Sequence, residues 1–240
     1  MIRILATTCI LATSIVSSFA ETVRIKAADG VEITAEFEKP EGDFSTTLVL
    51  YHMAGASRGE YQDIAPVLNK AGYATLAVDQ RSGGAFNGVK NETAAQSGGN
   101  VPYVKAMPDL IAASQWARQN SGATQVGVIG SSYSAGLILA LAGRDRDFAD
   151  AVISFSRGEY YGSDDYVSRE LDGIRVPVFL SSARNEAGQW KPFAGKITSP
   201  VTEFVPNGAG RHGATALVSK DGAEYWDALN RFLAEHLPAN

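Results

Sequence analysis

A cluster of small and hydroxylated residues in the middle of the chain is the segment best suited to do chemistry. In QVGVIGSSYSAGLILALAG, residues 125–143, an apolar strand pattern ends at Gly130 and an apolar helix pattern begins within a few residues. A tight turn from strand to helix can present a serine above a sheet, provided that the residues two positions before and after it are small. Ser132 has Gly130 and Ser134 at those positions, so the sequence predicts Ser132 as a nucleophile.

Two other interpretations of this cluster stay open. Ser134 also has small neighbours, Ser132 and Gly136, and would move the nucleophile two residues along the chain. A serine-rich helix N-cap without any catalysis has the same composition. We prefer Ser132 because Gly130 directly ends the strand. This placement also leaves the backbone N–H of Tyr133 at a helix N-terminus, where an unpaired amide can bind an oxyanion.

Short apolar runs predict the elements that position this turn. Five runs indicate strands that are covered on both faces: TTLVLYH, YATLAVD, QVGVIG, DAVISFS and VPVFLSS. TEFVP is a weaker sixth run. Before them, TVRIKA and VEITAEFEKP alternate apolar and polar residues around Asp29-Gly30, which predicts an antiparallel hairpin.

Stretches with helical spacing separate the runs, and the last of them, about Ala223 to His236, begins beside Asp221 and Glu224, which are spaced like a capping box. Alternating strands and helices predict a mostly parallel twisted sheet with helices on both faces. Its ligand site is then expected at the carboxyl ends of the strands.

From about Val31 to Leu237 the sequence resembles the α/β-hydrolases, nearest to their dienelactone hydrolase-like branch. The resemblance rests on five motifs in this order: YHMAGASRGEY, AVDQRSGG, GSSYSAG, VPVFLSSARNE and GAGRHG. It implies an α/β-hydrolase fold and ester-type chemistry. Dienelactone hydrolases proper have a cysteine nucleophile where this chain has serine, so the resemblance does not extend to a dienelactone substrate.

A serine nucleophile needs a base that takes its proton and an acid that orients the base. In this fold the chain order is serine, then Asp or Glu, then His. His212, in a glycine-rich loop after the last strand, is therefore the predicted base. His52 precedes the serine and His236 lies on the terminal helix, on a face expected to be solvated. Glu186 is the only carboxylate near the end of VPVFLSS and is the predicted acid, although many relatives have Asp there.

Two backbone amides are expected to bind the oxyanion. One is that of Tyr133, directly after the nucleophile. The resemblance places the other in the HMAGAS loop, at Ala54, with Met53 as the alternative.

Two segments are expected to border the site. The stretch from Gly83 to Asn100, rich in Gly and Asn, predicts a long loop or partial lid. The stretch from Ser156 to Val176 is too short for a large cap domain, although Tyr160, Tyr161 and Tyr166 are candidates for a pocket wall.

No cofactor or metal is predicted. Gly208, Gly210 and Gly213 spell G-x-G-x-x-G, but the following ATALVSKDG does not indicate the long helix of a dinucleotide site, and the match lies at the end of the chain. Three widely spaced histidines form no recognisable metal site.

The first twenty residues have the pattern of a secretory signal peptide. Arg3 precedes an apolar stretch from Ile4 to Val16, and the small residues Ser18 and Ala20 precede Glu21. We therefore predict a signal peptide over residues 1–20 and a periplasmic or secreted mature protein that is not membrane-bound. The only cysteine, Cys9, would leave with the signal.

Composition predicts one globular domain over residues 21–240, because 45% of the 240 residues are hydrophobic and 20% are charged. The net charge of −5, without any run of Lys or Arg, argues against a nucleic-acid partner. The sequence thus predicts an exported serine hydrolase that acts on a small-molecule ester. A small serine peptidase and a catalytically silent binding protein of the same fold are the alternatives.

Overall fold

The structure is a computed structural model that describes residues 20–99 and 101–240. Its strands are β1 (Glu21–Lys26), β2 (Glu32–Glu38), β3 (Thr46–Tyr51), β4 (Ala74–Val78), β5 (Ala85–Phe86), β6 (Val89–Lys90), β7 (Gln125–Ser131), β8 (Ala151–Phe155), β9 (Val178–Ser181) and β10 (Val201–Phe204). Its α-helices are α1 (Ala65–Lys70), α2 (Glu92–Gln96), α3 (Met107–Asn120), α4 (Tyr133–Arg144), α5 (Lys191–Ala194) and α6 (Gly222–His236). The predicted signal peptide lies outside the described residues except for its last residue, Ala20.

Eight strands form one mixed sheet in the order β1-β2-β4-β3-β7-β8-β9-β10. The six strands from β4 to β10 in that order are parallel to one another, as the apolar runs predicted. The predicted hairpin is also confirmed, because β1 pairs antiparallel with β2 and β2 pairs antiparallel with β4. Gly30 makes the hairpin turn at a φ of +90°, a conformation that glycine adopts without steric cost.

Both faces of the sheet are covered, and successive residues of a strand belong to opposite cores. In β3, Val49 packs with α3 and α4 on one face, whereas Leu48 and Leu50 pack with α1 and α6 on the other. This double burial explains why the central strands are continuous apolar runs and do not alternate.

The proposed capping box of α6 is wrong. Asp221 is the N-cap residue, but its side chain accepts no hydrogen bond from the first turn of the helix. Its Oδ2 instead accepts from the N–H of Gly210 at 2.8 Å, and Glu224 Oε2 accepts from the N–H of Asn207 at 2.9 Å. The two carboxylates therefore bind the loop that leads to His212.

Residues 83–99, the described part of the predicted loop from Gly83 to Asn100, contain more regular structure than a long loop. They hold the two-stranded hairpin of β5 and β6 and then α2, which Asn91 caps by accepting from the N–H of Ala94 at 2.7 Å. In the described part of the chain, no helix is long and apolar enough to cross a membrane.

Candidate active site

Ser132 lies in a strained turn between β7 and α4. Its φ of 58° and ψ of −116° put a residue with a side chain in a region that costs about 1–3 kcal/mol, so the surrounding structure must hold it there. The Ser132 N–H donates to the carbonyl of Phe155, at the end of the adjacent strand β8, at 2.8 Å. A side chain at Gly130 would meet the backbone of Ala135, because a Cβ there lies 2.8 Å from its Cα and N atoms. Glycine is therefore required for this turn.

Ser134, the rival nucleophile, is fully buried and its hydroxyl is already bonded. The Ser134 Oγ donates to the carbonyl of His52 at 2.6 Å and accepts from Gln80 Nε2, also at 2.6 Å. The geometry favours Ser132, the residue at the strained position.

The amide of Met53 is occupied. It donates to Glu60 Oε2 at 2.6 Å. The N–H of Ala54 has no hydrogen-bond partner among residues 20–99 and 101–240, and Ala54 is exposed. Tyr133, as the first residue of α4, has an N–H with no helical carbonyl to bond. Of the two amides considered in the HMAGAS loop, only that of Ala54 is therefore free to bind an oxyanion.

His52 braces this loop from below. Its ring is buried, Nδ1 bonds the carbonyl of Met53 at 2.8 Å, and Nε2 accepts from the N–H of Gln80 at 3.1 Å. Burial holds the pKa of His52 below its ordinary value, so the ring is a neutral structural group.

Glu186 and His212 meet, although 26 residues separate them. Nδ1 of His212 lies 2.6 Å from Glu186 Oε1. Glu186 Oε2 accepts from the Ser156 hydroxyl at 2.6 Å and from the N–H of Ala183 at 3.3 Å. The glutamate thus folds back onto its own 3-10 turn, Arg184–Gln189, which accommodates the methylene that Asp would lack.

The pair is electrostatically coupled. The hydrogen bond with Glu186 raises the pKa of His212, against the opposing effect of burial. Burial by itself favours a raised pKa for Glu186, but the hydrogen bonds from His212 and Ser156 hold the pKa below its ordinary value. Glu186 is consequently ionised near neutral pH and stabilises a protonated His212.

Ser132 and His212 are joined through their neighbours. Among the described residues no hydrogen bond links Ser132 Oγ to the His212 ring, but the Ala214 N–H donates to Ser131 Oγ at 2.9 Å. Ser156 also connects the segments, because its Oγ accepts from the N–H of Gly213 at 2.9 Å. In enzyme active sites without a ligand, the hydrogen bond between a nucleophile and its base is often long, and it shortens when substrate binds.

Two groups near this pair, Ser156 and Glu60, were not predicted from the sequence. Ser156 follows β8 directly and has a φ of 59°, so the rule that sites form at the carboxyl ends of parallel strands pointed to its position. Glu60 is only 2% exposed and lies in a 3-10 turn, Arg58–Tyr61. No sequence signal identified it, because its burial arises from packing between segments that are distant in the chain.

The remaining candidates lie outside this arrangement. His236 packs edge-on against Phe232, with ring centroids 4.9 Å apart, so it is not on the solvated face expected for it. Asp79 and Arg81, from the motif AVDQRSGG, form ion pairs with Arg58 and Asp109 respectively and have a structural role. The G-x-G-x-x-G segment leads into the 3-10 turn Ala214–Val218 and not into a long helix. Residues 20–99 and 101–240 contain no group of three acidic, His or Cys side chains arranged to hold a metal ion.

A cavity of about 720 Å³ opens beside the turn. Two of the three tyrosines expected as a wall, Tyr160 and Tyr161, line it together with Tyr103. Tyr166 does not line the cavity but packs behind Tyr161, with ring centroids 4.9 Å apart.

Comparison with solved structures identifies the fold. The chain is similar to a dienelactone hydrolase from Anabaena variabilis, with a TM-score of 0.70, 17% identity, and coverage of 92% of this chain and 99% of that one. It is also similar to the esterase Pf2001 from Pyrococcus furiosus, with a TM-score of 0.71, 18% identity, and coverage of 98% of both chains. The protein therefore has the α/β-hydrolase fold that the resemblance implied.

A solved peptidase contains a region of similar fold. The chain is similar to the acylaminoacyl peptidase from Pyrococcus horikoshii, with a TM-score of 0.69 and 15% identity over 92% of this chain, but it spans only 42% of that longer protein. No protein-family model matches the sequence, and no curated protein matches it.

We expect Gly130→Ala to lower the free energy of unfolding by about 1–3 kcal/mol, because the added methyl group overlaps the first turn of α4. Gly195→Ala is the matched control, since Gly195 has a φ of −66° and a Cβ there meets no atom within 4 Å. Urea unfolding of the two variants measures the difference. Equal stability would contradict the close packing that the turn requires.

Proposed function

We propose that this protein is an exported serine hydrolase that cleaves ester-type bonds through an acyl-enzyme. The observation that carries the proposal is the bonded Glu186–His212 pair beside a serine held in a strained strand-to-helix turn. An orienting carboxylate, an imidazole and a projecting hydroxyl together make an otherwise weak nucleophile reactive.

In the proposed reaction Ser132 Oγ attacks the ester carbonyl carbon while His212 Nε2 takes the hydroxyl proton. Glu186 holds the other ring nitrogen and stabilises the imidazolium that forms. The amides of Tyr133 and Ala54 bind the negative oxygen of the tetrahedral intermediate. His212 then gives its proton to the leaving alcohol, and a water molecule, activated by the same base, releases the acid and restores Ser132.

The comparison with solved structures supports this class of reaction. The similar structures include an esterase and a dienelactone hydrolase of nearly equal length. A peptidase is the second candidate, favoured by the similarity to the acylaminoacyl peptidase, although this chain spans only 42% of that protein. Export to the periplasm or beyond the cell is part of the proposal and rests on the signal-peptide pattern of residues 1–20.

Ser132→Ala and His212→Ala are each expected to lower kcat on p-nitrophenyl acetate by about three decades or more, since each removes a member of a group that acts as a unit. Glu186→Gln is expected to cost less, because the serine and base remain. Steady-state hydrolysis by the mature protein measures these losses, with Glu203→Gln on strand β10 as an exposed control.

Covalent labelling by a fluorophosphonate separates the alternatives. Modification of Ser132 supports the proposal, and modification of Ser134 contradicts the assignment of the nucleophile. A folded protein that neither reacts nor hydrolyses any ester or peptide would be a silent member of the fold.

The rate should also depend on pH through His212. Because Glu186 raises the pKa of His212 above its ordinary value, the neutral base is lost as pH falls through that raised value. We expect the acidic limb of kcat/KM to move to lower pH in Glu186→Gln, in which a neutral amide no longer stabilises the imidazolium. Profiles of both proteins between about pH 5 and 9 test this, and a limb that stays in place would show that Glu186 does not act on His212.

A further inference from the structure

The cavity beside Ser132 has walls that the proposed reaction does not use. Gly55 lies at its edge, next to the Ala54 amide, and Tyr103 lines it while stacking on Tyr133 with ring centroids 4.6 Å apart and planes 20° from parallel. Tyr160 lines it too, and the Ser132 side chain opposes the rise that burial causes in the pKa of the Tyr160 phenol. The cavity therefore lies beside the HMAGAS loop and the turn that holds Ser132.

These walls are held in place by the turn itself. The Tyr161 hydroxyl donates to the carbonyl of Tyr133, and the Tyr133 hydroxyl donates to the carbonyl of Ser82 at 3.0 Å. A Cβ at Gly158 would lie 2.4 Å from Tyr160 Cζ, so the absence of a side chain there lets the ring lie against the backbone. The aromatic surfaces are thus preorganised, which lowers the entropic cost of binding a rigid group.

No charged side chain lines the cavity among the described residues. The nearby Arg157 is 2% exposed: its Nη1 is paired with Glu159 at 3.1 Å, and its Nη2 is buried away from the cavity surface without a hydrogen-bond partner within the described ranges. A substrate carboxylate or ammonium group would therefore lose its hydration without gaining an ionic partner.

We propose that this tyrosine-walled cavity binds an uncharged aromatic ring of the ester substrate, next to the reacting carbonyl. This inference rests on the proposed function and names its substrate class. Aromatic rings gain from offset-stacked or edge-to-face contacts beyond simple burial, and a cavity of about 720 Å³ has room for a ring and its linker.

Matched pairs of esters test the substrate class. Ethyl 3-phenylpropanoate is compared with ethyl 3-cyclohexylpropanoate for a ring on the acyl side, and benzyl acetate with cyclohexylmethyl acetate for a ring on the alcohol side. For the side that enters the cavity, kcat/KM should favour the aromatic member roughly three- to tenfold. A carboxylate on the aromatic ring should reduce kcat/KM about tenfold or more.

Tyr103→Leu should remove most of the aromatic preference, whereas Tyr166→Leu, behind the wall, should retain it. Ratios near one in the wild type, or a ratio that Tyr103→Leu leaves unchanged, would overturn the inference. Calorimetry of 3-phenylpropanol and 3-cyclohexylpropanol with Ser132→Ala measures binding to the cavity independently of catalysis. If the variant prefers the phenyl alcohol but the wild type hydrolyses no ester, the proposed function is contradicted and the proposed ligand class is retained.

A second, independent observation concerns Glu60. Its Oε2 accepts from the Met53 N–H at 2.6 Å and its Oε1 accepts from the Ser131 hydroxyl, also at 2.6 Å. Ser131 Oγ in turn accepts from the N–H of Ala214 at 2.9 Å. Directly or through Ser131, Glu60 is thus linked to the backbone next to each of Ala54, Ser132 and His212.

The geometry points to Glu60 as a positioning residue that, in its ionised form, holds the oxyanion loop and the His212 loop against the nucleophile. This inference also rests on the proposed function. Both carboxylate oxygens accept from donors that face them. The ionised form accepts these bonds more strongly than the protonated form, in which one oxygen becomes an O–H donor.

The surroundings of Glu60 make this ionisation sensitive to pH. Burial raises the pKa of Glu60 to about 7, against the lowering effects of Ser131, Met53 and His212. The phenols of Tyr61 and Tyr133 are the other ionisable groups that interact with it. Arg58, on the same turn, is paired with Asp79 and Glu92.

If Glu60 and His212 must both be deprotonated, log kcat/KM of the wild type falls with a limiting slope of about two at acidic pH. Glu60→Gln should reduce this slope to about one and lower kcat roughly tenfold or more, with a smaller change in KM. Glu203→Gln, on β10, should retain the wild-type slope. A wild-type slope of one, or a Glu60→Gln variant that loses thermal stability without losing kcat, would overturn the role. Absence of all activity would instead count against the proposed function.

Discussion

The arrangement at the carboxyl edge of the sheet depends on the backbone turn at Ser132. A residue with a side chain is held there at a φ of 58°, and two features hold it. The Ser132 N–H is bonded to the end of β8, and Gly130 leaves the space in which the first turn of α4 approaches β7. Once this turn is in place, the side chain of Ser132 projects from the sheet and the Tyr133 amide lies unpaired beside it. The cost of the strained conformation is offset by the packing of an apolar helix, α4, whose residues 133–142 are all buried.

Two carboxylates connect the loops around this turn, and they differ in electrostatic character. Glu186 lies in a polar setting in which its hydrogen bonds outweigh its burial and lower its pKa. Glu60 is more deeply buried, and desolvation outweighs two short hydrogen bonds and raises its pKa. The first suits a permanent anion beside an imidazole. The ionised form of the second is stabilised by groups in the loops that it connects.

The tyrosines that line the cavity are also connected to the turn at Ser132. The ring of Tyr133 supports Tyr103 while its carbonyl receives the hydroxyl of Tyr161, so one residue joins the turn to two cavity walls. The position of the cavity is consequently coupled to that of Ser132. Movement of α4 would disturb the proposed oxyanion amide and the cavity together.

Much of this protein was determined by the sequence itself. Apolar runs and helical spacing predicted the parallel sheet and its hairpin, because double burial of a strand leaves a direct trace in residue type. Small residues around Ser132 predicted the turn, since crowding there restricts side-chain size. Tertiary structure decided contacts between segments far apart in the chain: Asp221 binds Gly210 instead of capping its own helix, the Met53 amide is occupied by Glu60 while that of Ala54 stays free, and Ser134 is bonded to His52. The strength of such polar contacts depends on burial and on distances of a few tenths of an ångström, and neither is encoded in local spacing.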